Sequence, residues 1–126
     1  MTKQRHRDEE LFYEAIMTLR SQEECRRFFE DICTIKELQA ISQRMRVACL
    51  LDSGSNYLEV SEATGASSAT ISRVNRCLNY GSGYREAIDN LKKAGKLNDD
   101  GSDLGKWGAG GVRPAGAVPA LRLRSV

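Results

Sequence analysis

Residues 57–80, YLEVSEATGASSATISRVNRCLNY, decide how this chain is read. Their spacing predicts two short helices joined by a tight turn at Gly65 and Ala66. This is the helix-turn-helix arrangement, which lays its second helix in the DNA major groove. Asn56 stands before the first helix with Glu59 three residues on, a capping box whose side chains satisfy free amide donors. Gly65 is the expected stop, because the left-handed conformation that closes a helix costs glycine least. Ser67 then caps a second helix starting near Ser68. The expected inward positions are Leu58, Val60 and Ala63 in the first helix and Ile71, Val74 and Leu78 in the second, with small Ser61 at their closest approach. The second helix then turns Ser68, Ala69, Ser72, Arg73 and Arg76 outward, a short, polar, basic face suited to base edges and phosphates. The plainer alternative is two ordinary helices of an all-α core that meet at a glycine.

On either side of this unit the apolar residues keep helical spacing. Residues 8–20, DEELFYEAIMTLR, carry Leu11, Phe12, Ala15, Ile16 and Leu19, with acids in the first turn and Arg20 in the last. Ser21 with Glu24 predicts a capping box opening a second helix, whose face is Cys25, Phe28, Phe29 and Ile32. Thr34 with Glu37 predicts another, opening a longer helix over IKELQAISQRMRVACLL with a stripe of Leu38, Ile41, Met45, Ala48 and Cys49. Gly81, Ser82 and Gly83 break the chain before a last helix that offers Tyr84, Ala87, Ile88 and Leu91 and stops at Gly95. The result is an all-α fold of six helices with no convincing strand. The first three helices are short and each is wet on one side, so they supply little apolar bulk for a self-contained core of ~95 residues. The expectation is an obligate homodimer whose core comes from the first three helices and the last. A two-fold dimer would also hold paired reading heads about one helical turn, ~34 Å, apart, matching a palindromic site. A compact monomer is the alternative.

At 126 residues the chain is long enough for one domain, expected over 1–95, followed by a disordered Gly/Ala/Pro-rich tail over 96–126. The net charge of +2 permits nucleic acid without arguing for it. Its distribution says more, because Arg44, Arg46, Arg73 and Arg76 cluster around the proposed reading unit. Cys25, Cys33, Cys49 and Cys77 form no CxxC pair, and the sole histidine is His6, so buried free thiols within helices are expected and no metal site. No apolar run approaches the ~20 residues that cross a bilayer, and a cytoplasmic protein with no membrane partner is the expectation. Catalysis has nothing to stand on: there is no GxxxxGK phosphate loop, no paired histidines, and no cysteine beside a histidine. No catalytic residue and no cofactor are expected. Tyr80 and Tyr84 read as core or interface aromatics.

With the helix order, AISQRMRVACLL in the third helix and EATGASSATISRVNRCLNYG in the reading unit, the chain resembles the Trp repressor superfamily, and more closely its small YerC/YecD-type relatives. The likeness covers roughly residues 11–91. It implies an intertwined, all-helical homodimer acting as a transcriptional regulator, with double-stranded DNA as its partner. Carried over by motif position, Ala69, Thr70 and Ser72 would lie where the reading helix meets bases and phosphates. Ser67 and Ser68 would sit at its N-terminus, where free amides favour phosphate. From the outward basic face, and not from the resemblance, Arg73 and Arg76 are expected to contact DNA, Arg76 as a further phosphate contact and Arg46 as a weaker one.

The resemblance also marks an effector pocket. In the Trp repressor two arginines flank the indole and hold the carboxylate, and Arg44 and Arg73 match their places. The glycine that follows the second arginine there is Val74 here, and the serine that takes the amino group is Cys77. A valine would fill a slot sized for a flat ring, and a thiol is a weak partner for an ammonium group, so tryptophan binding is not expected. Arg44 and Arg73 could instead contact phosphates or pair with acids such as Glu59. The leading expectation is a sequence-specific DNA-binding regulator, a dimeric repressor. The competing one is a helical protein-interaction module that keeps the fold without reading DNA.

Overall fold

The computed structural model describes residues 2–98, and among them the chain forms six helices. They are α1 (Lys3–Met17), α2 (Gln22–Ile32), α3 (Ile35–Asp52), α4 (Tyr57–Thr64), α5 (Ser68–Tyr80) and α6 (Gly83–Lys93). No described helix is long and apolar enough to cross a membrane.

Local chemistry sets most of these boundaries. At α3 the Thr34 hydroxyl accepts from the Glu37 amide at 3.0 Å while the Glu37 carboxylate accepts from the Thr34 amide at 2.8 Å. Asn56 and Glu59 form the same reciprocal pair at α4. The box expected at α2 does not close: Ser21 accepts from the Glu24 amide at 3.1 Å, but the Glu24 carboxylate reaches back to the Arg20 amide at 2.9 Å. α1 begins well before the expected Asp8, because Thr2 caps it by accepting from the Arg5 amide at 3.2 Å. It also ends at Met17, which leaves Leu19 and Arg20 beyond it.

α3 is the spine, packed against α5, α4, α6 and α2. Its Val47, Ala48 and Cys49 meet Val60 of α4, Ile71, Val74 and Leu78 of α5, and Ile88 of α6, with Ala66 of the turn also buried. Full burial of each aliphatic side chain among these contributes about 1.5–3 kcal/mol. Neither α1 nor α2 buries a residue; they meet each other through a stacked Phe12–Phe28 pair with ring centroids 6.1 Å apart.

Several inward positions fall elsewhere than expected. The covered side of α4 runs through Val60, Ser61 and Thr64, and at about 100° per residue Leu58 and Ala63 point well off it, so both are exposed, Leu58 by 67%. Ile41 is exposed because the first half of α3 projects past the core. Ala87 is exposed as well, and α6 rests on Ile88. The four cysteines are free, but Cys49 alone is buried, and Cys33 is the cap after α2 rather than a helical residue. Burial pushes the Cys49 thiol up to about 11, against the opposing pull of Arg46. Apart from Lys96, Leu97 and Asn98, the tail expected over 96–126 lies outside the described residues; Leu97 packs against the core.

Candidate nucleic-acid interface

The candidate face depends on the turn between α4 and α5. Gly65 takes φ 76°, the left-handed conformation its position requires, and its amide donates to the Ser61 carbonyl at 2.8 Å. The Ala66 amide donates to the Thr64 hydroxyl at 3.1 Å, and that hydroxyl donates to the Val60 carbonyl at 2.7 Å. The Ser61 hydroxyl donates to the Ala66 carbonyl at 3.3 Å. The Thr64 carbonyl is met from outside the unit, by Gln43 Nε2 of α3 at 3.1 Å. A glutamine in mid-helix carries no sequence signal, and the pattern of apolar residues passed over it. Ser67 then caps α5, accepting from the Thr70 amide at 3.1 Å.

Ile71, Val74 and Leu78 fix the buried side of α5, and this decides what the helix shows to solvent. Ser68, Ala69, Ser72, Arg73 and Arg76 are all exposed on the opposite side, together with the cap Ser67. Thr70 is half-buried, and its hydroxyl accepts from Ser67 at 3.1 Å. The first-turn amides of α5 head this face, adding the partial positive charge of a helix start.

The arginines divide into two populations. Arg5, Arg26, Arg27 and Arg85 each pair with a carboxylate. Arg44, Arg46, Arg73 and Arg76 have no acidic partner among the described residues, and neither do Arg7 and Arg20, so the pairing of Arg44 or Arg73 with an acid such as Glu59 is not found there. Glu59 is held by the Asn56 amide instead. Unpaired guanidinium groups are suited to bind phosphate.

The residues singled out as an effector pocket do not all face solvent. Arg73 is exposed and Arg44 and Cys77 are half-buried, whereas Val74 is 1% exposed and belongs to the core. Tyr84 packs on that core, but Tyr80, at the end of α5, is 87% exposed and is no core aromatic.

A family profile described as Trp repressor protein matches residues 8–92. The uncharacterized protein YerC of Bacillus subtilis is 47% identical over 92 residues, covering 72% of this chain and 88% of YerC. The crystal structure of a TrpR like protein from Eubacterium eligens is 49% identical and superposes with a TM-score of 0.64, over 66% of this chain and 87% of that one. A second crystal structure, from Staphylococcus aureus, is 42% identical with a TM-score of 0.64, over 66% of this chain and 84% of that one.

Proposed function

This chain belongs to the Trp repressor superfamily, among its YerC-type members, and from that premise we propose that it is a sequence-specific, dimeric DNA-binding regulator that acts in the cytoplasm as a repressor. The observation that carries the reading is the outer side of α5, where Arg73 and Arg76, without acidic partners among the described residues, stand on one exposed face with Ser68, Ala69 and Ser72. In this assignment Ser67 and Ser68 hold a phosphate at the helix start, and Ala69, Thr70 and Ser72 meet base edges and the adjoining backbone. Arg73 and Arg76 neutralise phosphates, assisted by Arg46.

The dimer is supported by what a single chain leaves uncovered. Leu11, Met17, Ile32, Ile35 and Ile41 are exposed on α1, α2 and the first half of α3, Met17 by 80% and Ile35 by 78%. Apolar surface on this scale is what a second copy covers. Tryptophan is not the effector in this reading, because by the resemblance Val74 stands where the Trp repressor has the glycine that leaves room for a flat ring.

The test is selection of duplexes from a random pool by the purified protein. Enrichment of a palindrome with half-sites about one helical turn apart is the expected result. A pool left unenriched after repeated rounds would contradict sequence-specific reading.

A further inference from the structure

We propose that Gln43, on α3, is the positioning residue that sets how α5 stands away from the body of the protein, and so how its outer face fits DNA. The inference rests on the regulator reading above. Its basis is the way the α4–α5 unit is held.

The hydroxyls of Ser61 and Thr64 bind the turn to α4, so they keep the unit's internal shape without tying it to anything else. The other buried residues that α3 and the unit bring together, Val47, Ala48 and Cys49 with Val60, Ile71, Val74 and Leu78, belong to one apolar cluster. Apolar packing is non-directional, and such a contact resists separation more than it resists a roll or a slide of one helix on another. Gln43 adds direction. Its Nε2 donates to the Thr64 carbonyl at 3.1 Å, half-buried and joining residues 21 apart in sequence. Among the described residues this is the one side-chain hydrogen bond from α3 to the unit. It falls on the last residue of α4, next to left-handed Gly65, where the chain changes direction. A carbonyl at a helix end has no intrahelical donor, so without Gln43 it is also left short of a partner.

Two variants test the assignment. Gln43→Met keeps the length and flexibility of the side chain and removes the donor. Gln43→Glu keeps the shape and turns an acceptor toward the carbonyl. Amide hydrogen exchange in the free protein should be about fivefold faster at Gly65, Ala66 and the first turn of α5 in both, the size set by removing one hydrogen bond, with the amides around Ile88 unchanged. Affinity for the selected duplex, corrected for the folded fraction, should weaken about fivefold in Gln43→Met, while its salt dependence stays that of the parent because every phosphate-binding group is kept and no charge is added; Gln43→Glu, which adds a carboxylate, should weaken it at least as much. Acceleration spread evenly over α3 to α6, or parental affinity in both variants, would overturn the proposal. A parent that enriches no duplex overturns the regulator reading instead, and the exchange measurement still decides whether Gln43 moors the unit.

Discussion

Asp52, the last residue of α3, accepts a hydrogen bond at 3.0 Å from Nζ of Lys92 near the end of α6, and its other oxygen faces Arg85. Burial alone would raise this carboxyl, but the hydrogen bonds from Arg85 and Lys92 prevail and hold it below the usual carboxylate range. A depressed folded value stabilises the native state above the unfolded value and loses that effect as the pH falls through the folded one. Asp52→Asn should therefore cost on the order of 1 kcal/mol at pH 7, a modest figure because Arg85 is nearly half exposed and screened by water. The difference between variant and parent should shrink once the pH drops well below about 4. Urea denaturation at both pH values checks this, and equal stability at pH 7 would show that the clasp contributes nothing.

Gly65 offers a cleaner backbone test. A Cβ added there meets nothing within 4 Å, so Gly65→Ala should be destabilising through its φ of 76° alone, by about 1 kcal/mol, with Gly65→Asn costing less. Chemical denaturation of the two variants gives the order. A cost for alanine well above that of ordinary αL strain would point to a contact beyond the backbone.

The caps and glycines made the fold legible. Thr34, Asn56, Gly65 and Ser67 each act through neighbours no more than four residues away, so their effect is written locally and the helices fall where they signal. Periodicity also found Ile71, Val74 and Leu78, since a helix of α5's length shows its buried stripe twice over. It misplaced Leu58 and Ala63 because α4 has only 8 residues, too few for a stripe to define its own direction. Ile41 falls outside the core of the single chain for a different reason: an apolar residue that a helix leaves exposed looks the same in sequence as one it buries. The Gln43 hydrogen bond was hidden because its acceptor is a backbone carbonyl, which every residue carries.

Tryptophan should leave DNA binding unchanged. Val74 is 1% exposed and is held by the core, so opening space for an indole would mean unpacking α5 from α3. Titration of the selected duplex with and without millimolar tryptophan should give the same Kd. A tenfold tightening, ~1.4 kcal/mol, would contradict the account.

Sedimentation should show about twice the single-chain mass of 14.0 kDa at micromolar concentration. Ile35→Glu should shift the population toward the single chain, because a charge introduced in an apolar interface is left without water or a partner. On a monomer the same change at an exposed site would alter stability by no more than about 0.5 kcal/mol and leave the mass alone. A 14.0 kDa parent species would remove the dimer.

The central claim is that the outer side of α5 grips DNA through its polar and guanidinium groups. It is tested most directly by titrating the selected duplex at two salt concentrations with the parent and with the Thr70→Ala, Arg73→Ala double variant. The account predicts weaker binding by the variant and a log–log salt slope shallower by about 0.9, because the guanidinium of Arg73 no longer neutralises a phosphate. A double variant that binds as tightly as the parent, with the same slope, would contradict it.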